Sequence, residues 1–524
     1  MFIKRVQADN VSVNLIPPEV LPDLKENFYT IIVGANGGGK SRILEAIAAC
    51  GMMFQLLGKE HESCKFSFEM FSPLHCLRDA RFKKIEIDFL TTEEDKVNTI
   101  SAEKLTYEFS GFVQRTENET PQSGNVILFG DYIKHGEIDG VICISNAVFD
   151  RFPSVADDNV YSRELLGYYN LSVSENVKLC RGSYGQYSAV NMLSKEILST
   201  FFSDQVSFVK GIDFLKSFGF TDKVVISLQL NRDVSGIGFN GIDNRDELLQ
   251  SLEMRQILDK EKLTPEIEML IDTTMRELMK DFSEKDKTIF GDAPTTFWLK
   301  PGIKKYELDV NSIVELQIFK NIKILSDLNI IQIKDVVFTK CDGRECKLND
   351  MSSGETNVLL TLFKINSRLE DNTIVLVDEP EISLHPEWQG KILPSLEKTF
   401  KKYRGCHFII ATHSPQVVAS IPEMNSSVVI LGGDNQPYEG RELRGRSADF
   451  QLFSVLGYLG DENEYLIRQL ITIIAKLSEN ESLSLGERTI LQQADLLLEK
   501  KETSEDIRFL LLQAQKLDRS FEDE

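Results

Sequence analysis

The spacing of apolar positions changes period several times along the chain, and each change marks an element. Phe2 to Val6 and Val11 to Asn14 alternate or carry β-branched residues, which predicts two short strands. Phe28 to Val33 is an apolar β run that stops at Gly34. From Ser41 to Ala49 the period becomes helical, with Ile43, Leu44, Ile47 and Ala48 on one face. Residues 81–115 alternate again, through Ile85, Ile87 and Phe89 and later Leu105, Tyr107 and Phe109, predicting a hairpin pair. Val141 to Ser145 reads as a further apolar strand.

From about 155 to 330 the pattern predicts a helical subdomain. Leu193 to Phe202 and Glu247 to Asp281 read as helices, the second rich in Glu, Lys, Leu and Met. Their heptads are not sustained, which argues against a long coiled coil. After 447 the chain turns helical to its end. One stripe runs Ile490, Leu491, Ala494, Leu497, Leu498, and another Ile507, Leu510, Leu511, Ala514, Leu517. These stripes either close a small core of their own or, given the acidic bias around them, form a docking surface for a basic partner.

Four short segments, near 28–50, 350–366, 373–390 and 405–422, carry chemistry. The first lies far ahead of the crowded other three, so one catalytic unit is built from both ends of a long stretch. Gly34-Ala-Asn36-Gly37-Gly38-Gly39-Lys40-Ser41 matches GxxxxGK[ST] between a strand and a helix. Glycines let backbone N–H groups converge on phosphate oxygens, and the helix N-terminus adds positive potential. Lys40 reaches the β/γ phosphates and the Ser41 hydroxyl binds Mg²⁺. Thr373 to Val377 is a strand that delivers Asp378 to its carboxyl edge beside that ion. Glu379, one position on, polarises the attacking water. Phe408 to Ala411 leads into Thr412-His413-Ser414, where a histidine can bond the γ-phosphate and sense its loss. Ser352-Ser353-Gly354-Glu355 opens a helical run and is either a second anion site or a plain N-cap.

Composition narrows the function. The chain has 524 residues, 42% hydrophobic and 27% charged, enough for several globular units. No apolar run is long enough for a membrane span, and Met1 to Asn14 is charged where a secretory leader is apolar, so a cytoplasmic protein is expected. The 8 cysteines include no CxxC, which fits free thiols in a reducing compartment. Cys341-x4-Cys346 with Cys406-His407 is either a zinc set or a group of buried thiols. A net charge of −22 repels nucleic acid in bulk, so any such contact needs a local patch. Lys398, Lys401, Lys402 and Arg404, with Arg441, Arg444 and Arg446, are either that patch or solvated surface.

The four segments, in this order, resemble the ATP-binding-cassette ATPases: phosphate loop 34–41, signature Met351 to Glu355, Asp378 with Glu379, and switch histidine 413. The resemblance implies an α/β P-loop head of mixed sheet and helices, with a large helical insertion and a C-terminal helical domain. It also implies a head-to-tail homodimer in which Ser352 and Gly354 of one subunit close on the ATP of the other. Ser353 and Glu355, where the family usually has Gly and often Gln, resemble the SMC-like and overcoming-lysogenisation-defect branch. Within that branch, Asp378-Glu-Pro-Glu381-x-Ser-Leu-His385-Pro386, Ala411-Thr-His-Ser-Pro415, Cys143 to Pro153 and Gly445 to Gly457 are similar to the Septu (PtuA) ATPases of anti-phage defence, including the retron-associated form. That similarity implies an HNH nuclease partner in trans and, in retrons, a reverse transcriptase with its RNA–DNA product. No Asp-x-Asp triplet of a Toprim nuclease and no clustered His and Asn of an HNH site occur here, so the chain is expected to cut nothing itself. The competing reading is a DNA-repair or DNA-end-binding ATPase of SMC/RecF type that touches DNA directly. The expected divisions are 1–154 and 331–446 for the ATPase head, 155–330 for the insertion and 447–524 for a partner-binding helical domain.

Overall fold

The computed structural model describes residues 2–34, 37–57, 63–66, 84–90, 97–105, 125–130, 140–145, 152, 168–171, 216, 219–230, 238–239, 287–289, 297–299, 303–308, 331–432, 436–460, 462–498 and 504–522. The chain divides into two units, 1–179 with 369–524, and 180–368.

The first unit opens on the predicted strands β1 (Phe2–Ala8) and β2 (Val11–Asn14), then β3 (Phe28–Val33) and helix α1 (Lys40–Leu57). Strands β4 (Ser63–Phe66), β5 (Lys84–Leu90), β6 (Val97–Leu105) and β7 (Asn125–Gly130) join the opening hairpin in an antiparallel sheet of order β2-β1-β5-β6-β7-β4. The hairpin expected at 81–115 is the β5–β6 pair, with Ile87 opposite Ile100; Tyr107 and Phe109 lie outside the described residues. Alternation buries Ile3, Val6, Ala8, Ile85, Ile87 and Phe89 in one core with Ile43, Leu44, Ile47 and Ala48 of α1. Strands β8 (Gly140–Ser145) and β9 (Tyr168–Asn170) follow.

The second unit holds β10 (Phe220–Leu230), β11 (Gly238–Phe239), β12 (Lys287–Ile289), β13 (Phe297–Leu299), β14 (Ile303–Leu308), β15 (Ile331–Lys340), β16 (Glu345–Lys347) and helix α2 (Ser353–Arg368). Two antiparallel sheets form here, β14-β10-β15-β16 and β11-β13-β12. Where the sequence predicted helix across 155–330, the described residues are mostly strand. Val224-Val225-Ile226 is a β-branched run, and pairing with both β14 and β15, distant in sequence, satisfies its backbone. The predicted helices Leu193–Phe202 and Glu247–Asp281 lie outside the described residues. Residues 331–368, expected in the head, cluster with this second unit.

The chain re-enters the first unit through β17 (Thr373–Asp378), α3 (Pro386–Gln389), α4 (Ile392–Phe400), β18 (His407–Ala411), α5 (Pro415–Ala419), β19 (Ser426–Ile430) and β20 (Pro437–Glu439). These complete a seven-stranded sheet of order β20-β19-β3-β18-β17-β8-β9, parallel except for edge strand β20. Strands β3, β8, β17 and β18 are buried at every position, as expected for parallel strands covered on both faces. Ile32, Cys143, Leu376 and Ile409 share the α1 core, and Phe400 of α4 stacks on Phe408 with centroids 5.9 Å apart. The out-of-sequence order brings the carboxyl ends of β3, β17 and β18 side by side, the edge where open α/β sheets bind ligands.

Beyond the sheet lie α6 (Gly440–Leu443), α7 (Ala448–Phe450) with one π-helical turn over Gln451–Val455, and helices α8 (Glu464–Ser478), α9 (Leu485–Leu498) and α10 (Glu505–Glu522). Leu491 and Ala494 of the first predicted stripe and Ile507, Leu511 and Ala514 of the second meet Phe453, Leu466, Leu470, Ile473 and Leu477 in one core. The stripes therefore close on each other. A truncation near residue 479 would divide this core, not release a free module. Among the described residues, no helix is long and apolar enough to cross a membrane.

Candidate active site

The phosphate loop forms because β3 stops where α1 must start. Gly34 leaves the strand against Leu431: a Cβ there would lie 3.1 Å from Leu431 Cβ and 3.3 Å from its carbonyl oxygen. Gly37 (φ 78°) and Gly39 (φ 98°) hold left-handed backbone that a side chain resists. Gly39 O accepts the Ile43 N–H at 3.0 Å, so the helix begins at once. Asn36 lies outside the described residues, and Gly37 and Gly38 are exposed. Lys40 is buried, and its Nζ donates to Gly34 O at 3.2 Å, folding back over its own loop. Ser41 is the second residue of α1.

Two strand ends bring the acidic groups to this lysine. Asp378 is the last residue of β17, in register with Ala411 of β18 and Ser145 of β8, and it is buried. The next residue, Glu379, has φ 50°, a left-handed conformation that costs a non-glycine residue roughly 1–2 kcal/mol. It is held there by its N–H donating to Ala411 O at 2.9 Å. Strain of this kind concentrates at functional sites. Glu379 Oε1 then lies 3.0 Å from Nε2 of His413, and the same imidazole contacts Lys40, Nδ1 at 3.4 Å and Nε2 closer.

The electrostatics follow from burial. Desolvation, then Glu381 and Asp378, push the Glu379 carboxyl up to about 8 against the pull of Lys40. Desolvation and the Lys40 charge lower the His413 pKa, which favours the neutral ring that can accept from the ammonium. Desolvation also lowers Lys40, opposed by Glu379, Asp378 and Glu381. A lysine, a histidine and three carboxylates thus converge at one sheet edge.

One residue here carried no role in the sequence reading. Glu381 Oε1 accepts both the Thr412 hydroxyl and the His413 N–H, each at 2.6 Å. The available signal was an acid placed three positions past a buried strand, with a Thr-His pair past the neighbouring one. Ser352 and Gly354 belong to the second unit: Ser352 is exposed and its carbonyl accepts the Thr356 N–H at 3.0 Å at the start of α2, while Gly354 is buried. Of the candidate zinc set, Cys341 and Cys346 fall in the second unit and Cys406 and His407 in the first, and among the described residues no group of His, Cys, Asp and Glu is arranged to hold a metal ion. Cys406 instead donates to Glu370 O at 3.2 Å and His407 is enclosed in the sheet, whereas Cys341 is exposed. Of the two side chains the sequence suggests for Mg²⁺, Asp378 is buried at this edge and Ser41 stands in the first turn of α1. Such a sparse donor set suits an ion that keeps its own water and takes substrate phosphate oxygens.

The AAA ATPase domain family matches residues 192–418, a span that includes Ser352, Gly354, Asp378, Glu379 and His413 and starts beyond Lys40. Over that span the chain is similar to AAA ATPase domains. It is 44% identical over 86 residues to the Retron Ec83 probable ATPase of Escherichia coli, covering 14% of this chain and 15% of that one. It is 23% identical over 426 residues to the Retron Vc95 probable ATPase of Vibrio cholerae serotype O1 biovar El Tor, covering 77% and 69%. It is 25% identical over 157 residues to the Septu protein PtuA of Bacillus mycoides (strain KBAB4), covering 27% and 21%. The Ec83 and PtuA matches span well under two thirds of those relatives.

Proposed function

We propose that this chain binds and hydrolyses ATP with Mg²⁺ and serves as the ATPase subunit of an anti-phage defence complex, its nucleotide state gating a nuclease in trans. The observation that carries the reading is the convergence of Lys40, Glu379 and His413 at the carboxyl edge of one parallel sheet. The backbone of Gly37 to Gly39 cradles the phosphates, and Lys40 exchanges Gly34 O for β/γ oxygens. Ser41 and Asp378 would hold Mg²⁺, which supplies charge neutralisation at the phosphates when bound. Glu379 orients the attacking water and takes its proton. His413, next to both, contacts the γ-phosphate and registers its departure. Asn36, within the same glycine-rich stretch of sequence, is assigned to nucleotide binding with these residues. Ser352 and Gly354 at the start of α2 contact the nucleotide of a second copy, which makes the working form a head-to-tail homodimer. Similarity to relatives named for retrons and for Septu supports a nuclease partner and, for a retron, a reverse transcriptase with its RNA–DNA product.

The test is Mg²⁺-dependent phosphate release by the purified protein, with Glu379→Gln retaining bound ATP. A wild-type protein that binds ATP without releasing phosphate would remove the hydrolytic reading. For the system, Lys40→Ala should abolish protection in a phage plating assay, and the product of the adjoining reading frame should co-purify with the full chain. Salt-sensitive affinity of the isolated protein for DNA would favour direct DNA action instead.

A further inference from the structure

One carboxylate at the edge takes two short hydrogen bonds and has no role in the reading above. Glu381 is 9% exposed, and its Oε1 receives two short hydrogen bonds, from the Thr412 hydroxyl and the His413 N–H. Thr412 is anchored on its far side as well. Its N–H donates to Ile32 O of β3 at 3.1 Å, and its Oγ1 accepts the Ser414 N–H at 2.9 Å. Ser414 in turn caps α5 by accepting the Val417 N–H at 3.2 Å. A second tie runs parallel: the Ser414 hydroxyl donates to Gln389 Oε1 at 2.7 Å, and the Gln389 amide donates to Leu384 O at 3.0 Å. The segment after β17 therefore grips the turn after β18 through both ties, and the Glu381 tie is the one that holds the His413 main chain, whereas Glu379 meets its ring.

We propose that Glu381 is a positioning residue: it holds the main chain of His413 so that the imidazole stays between Lys40 and Glu379, and it ties any movement of the Glu379 turn to His413. This deepens the ATP-hydrolysing reading and rests on it. The physical basis is the pair of charge-assisted bonds, which are about twice as strong as neutral ones. The carboxylate sits two residues from the strained Glu379, so a shift that relaxes φ there moves Glu381 and drags the His413 amide with it. Nucleotide affinity resides mainly in Lys40 and the glycines; Glu381 acts on Lys40 only through its charge, as the weakest of the three carboxylates there. Turnover needs the imidazole and the Glu379 carboxyl in register.

Glu381→Ala and Glu381→Gln in the full chain separate positioning from plain structural support. In Glu381→Ala the His413 amide should exchange hydrogen about tenfold faster, with the β17 and β18 amides unchanged. Its kcat should fall about a hundredfold, the usual scale for a small misplacement. ATP affinity should stay within about threefold of wild type, because uniform binding is untouched. Glu381→Gln keeps an acceptor oxygen and should recover part of the kcat; it also serves if the alanine variant does not fold. Unchanged His413 exchange in both variants, or affinity falling as far as kcat, overturns the proposal. If the wild-type protein hydrolyses no ATP, the exchange measurement still decides whether Glu381 holds His413, while the hydrolytic reading fails separately.

Discussion

Two histidines bracket β18, and their environments are opposites. His407 opens the strand and is fully buried, whereas the His413 side chain, just past the other end, is 32% exposed. The Nδ1 of His407 accepts the Ile3 N–H at 3.1 Å, so its proton sits on Nε2 and is donated to Thr30 Oγ1 at 2.9 Å. The Thr30 hydroxyl then donates to Ser427 Oγ at 3.1 Å, and Ser427 to Leu15 O at 2.5 Å. The chain closes among buried partners, with Leu15 O also 3.5 Å from Thr30 Oγ1, and Phe2 and Phe28 pack at steep angles against the ring. His413 instead touches an ammonium and a carboxyl, partners that can let go and bond a substrate. Neither residue type nor strand distinguishes the two. What does is the sheet edge each one occupies: β1 and the segment around Leu15 seal the amino edge, while the carboxyl edge is made of loops.

The strongest way to break the contrast is at Glu379. Glu379→Gln removes the proton acceptor and keeps the shape, so turnover should drop by roughly 10²–10⁴-fold while ATP stays bound. Single-turnover phosphate release and bound-nucleotide measurements check this; hydrolysis at the wild-type rate would mean that the carboxyl edge has another base. Next is Lys40→Ala. With the point charge gone, ATP affinity by calorimetry should fall at least about a hundredfold. Tight binding by that variant would show that the glycine loop is not the phosphate site.

Much of this edge was legible before the structure, for a definite reason. Lys40, Asp378, Glu379 and His413 each follow a continuous apolar run or a glycine loop, and a buried parallel strand must end in a fixed place. Glu381 was present in the sequence but silent, because its role depends on a neighbour across the sheet and not on local spacing. For Cys406 and His407 the spacing left zinc ligands and buried groups both open, and the choice depends on partners across the sheet, Glu370 O for the thiol and the Ile3 N–H for the ring. The second unit was misjudged between 220 and 230 because Phe220–Leu230 gains its stability from two flanking strands far away in the chain. The carboxyl-terminal stripes gave the right helices, but periodicity alone does not say whether two apolar faces meet each other or a partner.

At the amino edge the expected losses are in stability, not turnover. His407→Leu strands the Ile3 N–H in a dry core and removes the donor to Thr30 Oγ1, and should lower unfolding free energy by about 1–3 kcal/mol while turnover per folded molecule holds. Denaturant titration paired with the phosphate assay checks both halves. The reverse outcome, intact stability with lost turnover, would erase the distinction between the two histidines.

The smallest effect is the sharpest in sign. Burial pushes the His407 pKa down to about 3, whereas the unfolded chain titrates near the ordinary value of about 6.5. Between those limits the unfolded chain binds a proton that the native protein refuses, so this histidine makes stability rise with pH across the window and fall on acidification from about 6.5 toward 3. Its share of the slope approaches about 1.4 kcal/mol per pH unit in the middle of the window. Other groups titrate there too, so the measurement is a difference: denaturation midpoints at several pH values for wild type and for His407→Gln, whose amide stays neutral throughout. The variant should show a shallower slope. The same substitution at His413, partly solvated and beside Lys40, should change the slope less. Equal slopes in wild type and His407→Gln would mean that the ring takes up its proton in the folded protein, and that the sealed amino edge admits water.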